Sequence, residues 1–144
     1  MLDKIFFLRV GPNVRNRYRD HIFKSAKDVF GKPFKSNSTE YGERKRANKF
    51  RGQASQYAKS TAPVLTSALL TDYSLIKTTS GGFQIGWIKE GGKVEGLKKM
   101  GRVLTTSKQP LPSKVITYLS TEAHRYIKKR LGPNKTTIHK VGKK

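Results

Sequence analysis

In the N-terminal part of the chain, apolar side chains recur at steps of three or four residues, as they do along one face of an α-helix. Most basic residues between positions 14 and 30 fall off this stripe. Asn13 is a favoured N-cap residue, and Gly31 followed by Pro33 is typical of a helix end. The pattern predicts a long amphipathic helix, whose buried stripe comprises Val14, Tyr18, Ile22, Ala26 and Val29/Phe30.

The residues on either side of this helix follow other patterns. Residues 4–10 are rich in β-branched and aromatic side chains, which predicts a strand that ends at Gly11-Pro12. Residues 34–60 show no sustained period, and Ser, Asn, Thr, Gly and basic residues dominate them. We therefore expect a long basic loop there, with at most a short helix. A loop of this length in a compact domain usually binds something or becomes ordered on assembly.

The next part of the chain has the pattern of a β-hairpin. "DYSLIKTT" and "FQIGWI" flank Ser80-Gly81-Gly82, and a glycine turn between two such stretches is typical of a hairpin. Phe83, Ile85 and Trp87 alternate onto one face, which we expect to pack on the first helix. "PVLTSALL", before the hairpin, indicates a turn into a short helical segment. After it, the glycine-rich residues 89–101 are expected to be exposed and mobile, and "RVLTT" to be a further short strand.

A second amphipathic pattern begins at Pro112-Ser113 and ends at Gly132-Pro133. Its apolar side carries Val115/Ile116, Leu119, Ala123, Tyr126/Ile127 and Leu131. The complete pattern predicts an α+β fold, with two long amphipathic helices packed on a small, mainly antiparallel β-sheet. Residues 1–133 would form a single domain, and residues 134–144 a basic flexible tail.

Composition adds a strong positive charge to this fold. Thirty-one Lys and Arg against nine Asp and Glu give a formal net charge of +22. Residues 41–59 contribute six basic groups and one acidic group, and residues 125–144 contribute eight basic groups and no acidic one. Such a chain attracts polyanions and acidic surfaces. Charge alone does not distinguish among DNA, RNA and an acidic protein as the partner.

The two basic regions supply the candidate contacts to a partner or to nucleic acid. These are Arg44, Lys45, Arg46, Lys49, Arg51, Lys128, Lys129, Arg130, Lys135, Lys140, Lys143 and Lys144. The aromatic residues Tyr41, Phe50 and Tyr57 lie in the first region. They would either stack on bases or anchor the segment to its own domain. We expect neutralisation of Arg44, Lys45 and Arg46 to leave the fold intact and to impair assembly or binding.

Catalytic and cofactor chemistry have little support in the residues. The chain has no cysteine, which excludes disulfides and thiolate metal sites, and His21, His124 and His139 lack metal-ligand spacing. His21 and His124 fall on predicted helices, where a surface or packing role is expected. The few carboxylates suggest no acid–base pair. We expect no enzyme, no cofactor and no metal site.

Two further motifs fail on inspection. Gly91-Gly92-Lys93 does not complete a phosphate-binding loop, because Trp87 occupies the position of its first glycine and Val94 follows the lysine. The apolar run at residues 5–8 is too short for a signal peptide or a membrane span. We therefore expect no membrane contact, and a location inside a cell or in a particle assembled there.

The order of motifs in residues 63–131 is "PVLTSALL", hairpin, "IGW", glycine-rich loop, "GRVLTT", "LPSKV" and a final helix. This order resembles the tailed-phage virion-morphogenesis, or tail-completion, protein family, and the similarity extends upstream through "GKPFKSNSTEYGERKR" to about residue 14. The residues that match the family's Pro-x-Leu-Thr-Gly-x-Leu stretch are Pro63, Leu65, Thr66 and Leu69. Ser67 replaces the glycine of that stretch. Gly101-Arg102 and Leu111-Pro112 occupy the second motif region, without the family's Arg-Pro-Phe form.

The resemblance implies a structural subunit of a phage neck or tail, which joins the DNA-filled head to the tail as a ring of copies around a channel. No catalysis is implied. Its partners would be further copies of the chain and neighbouring neck, portal or tail proteins, with DNA contact possible. Its place would be the head–tail junction of the virion, after assembly in the host cytoplasm. Size and charge leave other functions open, namely a ribosomal or other RNA-binding protein, a DNA-binding accessory protein and a small nuclease.

Overall fold

The computed structural model of the chain describes residues 2–63 and 67–141, with side chains described up to residue 132. Its fold is α+β, as predicted. The helices are α1 (Lys4–Arg19), α2 (Thr39–Arg46), α3 (Ala68–Asp72), α4 (Gly91–Lys99) and α5 (Ser113–Val141). A π-helical turn, Asp20–Lys24, extends α1, and a 3₁₀ turn covers Ser55–Tyr57. The strands β1 (Tyr73–Thr79) and β2 (Gly82–Trp87) form an antiparallel hairpin.

The N-terminal segment is a helix, so the strand predicted at residues 4–10 is wrong. Phe6, Val10, Val14, Tyr18 and Ile22 lie four residues apart, and each is at most 1% exposed. This spacing continues across the Gly-Pro pair, so one buried helical stripe runs through the predicted turn. β-propensity reflects how a side chain fits a half-buried sheet, and here the helix buries Phe6 and Val10 while it leaves Ile5 and Leu8 exposed.

α1 begins at a capping aspartate and continues through a proline. Asp3, rather than Asn13, is the N-cap, and its Oδ1 accepts a 3.0 Å hydrogen bond from the Phe6 amide. Asn13 is exposed within the helix. Pro12 removes the helical hydrogen bond to the Leu8 carbonyl. Since Leu8 is 52% exposed, solvent can replace that bond.

The first long helix ends earlier than the sequence pattern predicts. Its last turn is π-helical, and Ala26 has a left-handed backbone conformation, with φ 54°, that redirects the chain. Val29 is buried as expected, but it reaches the core from the turn that follows, where its amide donates to the Val103 carbonyl at 3.0 Å. Phe30, which the pattern placed on the buried stripe, is 51% exposed.

The predicted hairpin is confirmed, and its register runs from Tyr73 opposite Trp87 to Thr79 opposite Gly82. A bulge in β1 leaves Ile76 without a partner between Leu75 and Lys77. The predicted packing on α1 is confirmed for Phe83 and Trp87. The Phe83 ring lies 6.1 Å from that of Phe7, and the Trp87 ring lies 5.9 Å from that of Tyr18, edge to face.

Two expectations for the residues after the hairpin are wrong. Residues 89–101 contain α4, because Val94 and Leu97 lie three residues apart and pack on the core, whereas a connection without regular structure was expected. Most of its other residues are exposed, as expected. "RVLTT" is not a strand. It is extended chain with Leu104 buried, and the Leu104 carbonyl accepts a 2.6 Å hydrogen bond from the Tyr18 hydroxyl.

α5 starts at the predicted position and packs on α1. Val115 is 2% exposed, and the Tyr126 ring lies 5.1 Å from that of Phe6. Gly132 has non-helical backbone angles (φ 71°, ψ 170°), so the predicted stop is a break, after which the backbone is helical again up to Val141. The flexibility of residues 134–144 stays a prediction.

The core lies where α1, the hairpin and the segments after it meet. At its centre the Tyr18 and Tyr73 rings stack, with centroids 4.1 Å apart. Around this pair lie the buried side chains of Ile22, Phe23, Phe34, Leu69, Val94 and Leu104. Residues between positions 18 and 104 therefore enclose one apolar centre, to which Phe34 and Ala62 of the basic segment contribute.

Candidate interaction surface

The basic segment predicted as a loop folds around the short helix α2. This helix ends in a Schellman cap, in which the Asn48 amide donates to the Lys45 carbonyl (3.0 Å) and the Lys49 amide to the Arg44 carbonyl (3.1 Å). Asn48 has the left-handed conformation (φ 57°) that the cap requires, and Asn tolerates it better than most residues. The segment therefore presents its charged side chains from a defined backbone.

Lys45 is buried, so its assignment as a partner contact is wrong. It is 1% exposed, and its Nζ donates to the carbonyls of Ser60 (2.8 Å) and Ala62 (3.1 Å). Burial, and to a lesser extent the charge of Arg102, lowers the pKa of Lys45. The ammonium group ties α2 to the chain that leads into α3. A substitution of Lys45 is consequently expected to change the stability of the fold, and it does not report on binding at the surface.

The aromatic residues of the segment contact their own domain. The Phe50 ring lies 5.4 Å from that of Tyr41, and the Arg44 guanidinium lies 4.5 Å from the centre of the Phe50 ring. Tyr57 packs against the core cluster. Gln53 closes the turn, since it donates to the Lys45 carbonyl (2.6 Å) and accepts from the Phe50 amide (3.3 Å). These contacts favour anchoring over base stacking as the role of the aromatic residues.

The other four basic candidates of this segment are exposed, and the described part of the chain offers them no carboxylate partner. We call them the α2 cation group, and they are Arg44, Arg46, Lys49 and Arg51. Their charges are available to an anionic surface at short range. These four residues remain predicted partner contacts, whereas Lys45 does not.

The C-terminal candidates divide into two sets. Lys128 and Lys129 are exposed on α5. Arg130 forms an ion pair with Asp3 at 2.5 Å, while the Tyr126 hydroxyl donates to the same carboxylate at 3.0 Å. The side chains of Lys135, Lys140, Lys143 and Lys144 lie outside the described residues.

Asp3 therefore caps α1 and also joins α1 to α5. The backbone hydrogen bond from Phe6 is the largest of the interactions that lower the pKa of Asp3. The ion pair with Arg130 acts in the same direction. Arg130 therefore already has an ion-pair partner within the chain, although its side chain is still 52% exposed. In the described part of the molecule, no hydrogen bond or ion pair connects this C-terminal region to the α2 cation group.

The scarce carboxylates are largely used inside the molecule. Those with hydrogen bonds or ion pairs to their own chain are Asp3, Asp28, Asp72, Glu90 and Glu122. Most Lys and Arg side chains have no such partner among the described residues. The surface is thus strongly positive, with little negative charge interspersed to weaken its field.

Two residues that organise this side of the molecule were not predicted to do so from the sequence. Arg102, which the sequence placed only in a motif region of the resemblance, donates to the Lys35 carbonyl (3.3 Å) and to the side-chain oxygen of Asn37 (3.2 Å), which fixes the start of the basic segment. Asp72 accepts hydrogen bonds of 2.8 Å from two successive backbone amides, those of Lys89 and Glu90, ahead of α4. An Asp directly before a hairpin is a weak signal for such a cap, and no local pattern indicates the hydrogen bonds of Arg102.

Asp72 illustrates the electrostatics of these caps. Desolvation would raise the pKa of Asp72, but the amides of Glu90, Lys89 and Ile88 together outweigh it and lower the pKa. The carboxylate therefore stays ionised at neutral pH and holds the turn between β2 and α4. Its role is structural, and among the described residues it belongs to no group of three or more His, Asp or Glu side chains that could hold a metal ion.

The two histidines whose side chains the structure describes belong to no metal-binding group of described residues. His21 is buried, and its Nε2 lies 2.8 Å from the Asp28 carbonyl, which matches the packing role expected for it. His124 is exposed, with Nδ1 2.9 Å from the Ser120 carbonyl, and the side chain of His139 lies outside the described residues. Among the described residues, no three His, Asp or Glu side chains lie together as a metal site would require. No described helix is long and apolar enough to span a bilayer.

Comparison with known proteins adds no identification. The chain matches no protein-family model, no curated protein and no solved structure.

Proposed function

We propose that this protein is a structural subunit of a bacteriophage neck or tail, which acts in head–tail joining or tail completion as part of an oligomeric ring. The observation that carries the proposal is the order of elements after residue 67. A short helix with Leu69 buried, a hairpin, a second short helix and a long closing helix follow one another. The resemblance to tail-completion proteins depends on a short helical segment, a hairpin and a closing helix in this order, and α4 occupies the place where it has a glycine-rich loop. Leu65 and Thr66, which contribute to that resemblance, lie outside the described residues.

The electrostatics support a role in assembly. A ring subunit needs surfaces that reach neighbouring proteins, and the α2 cation group and Lys128/Lys129 offer two such surfaces at separate places on the fold. Their partners would be acidic faces of neighbouring neck, portal or tail proteins, or DNA in the channel. The location that follows from this proposal is the head–tail junction of the virion.

Electron microscopy of the purified protein tests this function. After nuclease treatment, we expect rings or short tubes in negative stain and a matching mass by light scattering. A variant with all four residues of the α2 cation group changed to Gln should keep the wild-type circular dichroism spectrum and assemble less with its neighbouring proteins. Lys98→Gln/Lys99→Gln, two exposed residues of α4, is the matched control. A monomer that copurifies with ribosomal RNA in stoichiometric amounts would contradict the proposal.

A second candidate function is nucleic-acid binding, which the exposed and unpaired α2 cation group favours. Binding by an isolated monomer would then weaken steeply with salt, because each phosphate contact contributes a slope of about −0.9 in log K against log salt for duplex DNA. Neutralising the group should reduce that slope by up to about 0.9 for each cation lost. The α4 control variant should keep the wild-type slope. Unchanged slopes in both variants would exclude the group from nucleic-acid contact.

A further inference from the structure

The outer edge of the hairpin is open. β2 pairs with β1 along one side, and within the described part of the chain no backbone hydrogen bond joins residues 83–87 to any other segment. Edge strands expose outward N–H and C=O groups, which proteins usually protect with charged side chains, proline or bulges. β2 has the sequence GFQIGW, without charge or proline, and the bulge of this hairpin is in β1. The edge of β2 is therefore unprotected.

A groove of about 540 Å³ is lined by all six residues of β2, Gly82–Trp87, and a six-residue strand spans about 20 Å. The rest of its described lining consists of Phe7, Tyr73, Thr105, Pro110, Leu111 and Leu119. None of these described lining residues is charged. The groove thus combines the backbone of β2 with apolar side chains from other segments, as the site of an added strand does.

We propose that this groove binds an extended segment of an acidic partner protein, which pairs with β2 as a third strand. The partner is a polypeptide, because only a peptide backbone supplies donors and acceptors at strand spacing. Apolar side chains on alternate positions would enter the groove, while the others face solvent. The site is independent of the virion role proposed above, since it depends on the strand edge alone.

Charge complementarity decides in favour of an acidic partner over a second copy of this chain. Lys77 lies opposite Gln84 on the hairpin, and Lys108 lies in the turn between two groove residues. Both are exposed, and neither has an ion-pair partner in the part of the chain that the structure describes. A second copy would bring another net charge of +22 to this place, whereas acidic residues flanking a bound strand would meet these lysines.

The single tryptophan of the chain, Trp87, lines the groove and provides the readout. The probe is a synthetic peptide of alternating Val and Thr with two Asp at each end, titrated into the full-length protein. We expect a saturable change in Trp87 fluorescence and slower hydrogen exchange at β2 amides. The same peptide with alternate amides N-methylated, or with Lys in place of Asp, should bind at least tenfold more weakly. Lys77→Glu/Lys108→Glu should weaken binding similarly, while Lys98→Glu/Lys99→Glu on α4 should not.

Three results would overturn the proposal. Absence of binding by the acidic peptide excludes the groove as its site. Equal binding of the N-methylated peptide shows attraction by charge without strand pairing. Self-association of the protein with protection of β2 amides, measured by sedimentation and hydrogen exchange without peptide, identifies a second copy as the occupant. None of these results contradicts the proposed virion function, which the ring images test separately.

Discussion

Lys45 and Lys49 carry the same charge within one turn of each other, but the fold gives them opposite roles. Lys49 is exposed, whereas Lys45 is 1% exposed and donates to the carbonyls of Ser60 and Ala62. A lysine can be buried in this way because its long aliphatic part packs well while its ammonium finds carbonyl acceptors. The charge of a residue in a basic run therefore does not tell whether that residue meets a partner.

Exchange of Lys45 for Met should destabilise the protein. Met fills a similar volume but leaves the Ala62 carbonyl without its donor, and an unsatisfied buried group costs about 1–3 kcal/mol. Chemical denaturation of wild type and variant measures the difference in the free energy of unfolding. Lys49→Met is the matched control and should change stability by less than about 0.5 kcal/mol. Equal stabilities for the two variants would show that the Lys45 hydrogen bonds contribute nothing net.

The prediction that Arg44, Lys45 and Arg46 can be neutralised together with the fold intact therefore needs a different design. Only Arg44 and Arg46 belong to the exposed α2 cation group. The sequence pattern located the basic segment correctly and allowed for a short helix within it. It could not separate Lys45 from its neighbours, because the carbonyls that bind it come from residues fifteen and seventeen positions later.

At the scale of elements, the packing of α1 on β1 depends on a glycine. A Cβ atom at Gly11 would lie 3.1 Å from both terminal carbons of the Leu75 side chain, which is tighter than ordinary van der Waals contact. Glycine lets the helix approach the strand there. This explains a glycine within a helix, at a position that sequence patterns assign to a turn.

An alanine exchange at two glycines isolates this contact. Gly96 of α4 has no atom within 4 Å of an added Cβ, so Gly96→Ala should stabilise the protein by up to about 1 kcal/mol through helix propensity. Gly11→Ala gains the same propensity term but must displace Leu75, and overpacking typically costs about 1–3 kcal/mol. We expect Gly11→Ala to be less stable than Gly96→Ala by this amount in denaturant unfolding. The difference should shrink when Leu75 is changed to Ala as well, and its persistence would assign the cost to another cause.

The sequence predicted some elements correctly and missed α4. The hairpin and α5 were found because their signals are local, a glycine turn between apolar stretches and a helical stripe after Pro112-Ser113. α4 was missed because Gly91, Gly92 and Gly96 disfavour a helix on intrinsic propensity. Val94 and Leu97 pack on the core, and this tertiary burial outweighs the propensity of the segment.

At the scale of the whole molecule, the aromatic centre makes stability sensitive to alkaline pH. Burial, with a smaller contribution from the neighbouring Tyr73, raises the pKa of Tyr18 well above its usual value. Burial also raises the pKa of Tyr73, against the opposing charge of Arg19. Both hydroxyls thus stay protonated in the folded protein at pH values where the unfolded chain ionises. Their contribution is complete below about pH 10 and is lost progressively as the pH rises above it.

Tyr73→Phe should reduce the loss of unfolding free energy above about pH 10. Each tyrosine that ionises only on unfolding lowers stability by up to about 1.4 kcal/mol per pH unit above pH 10. Unfolding free energies of wild type and variant, measured between pH 8 and 11.5, should run parallel up to about pH 9.5 and then converge or cross, with the variant losing less. Parallel curves over the whole range would mean that Tyr73 ionises equally easily in the folded protein.

Local spacing and composition are enough to predict the fold class, the hairpin, the closing helix and the strong positive charge. Three features could be known only from the folded chain: the N-terminal segment is helical, Lys45 is buried, and β2 has no second strand partner among the described residues. These features depend on which distant residues meet. Gly11 packs on Leu75, Lys45 donates hydrogen bonds to the carbonyls of Ser60 and Ala62, and Leu119 lines the same groove as β2. No local pattern in the chain specifies these long-range contacts.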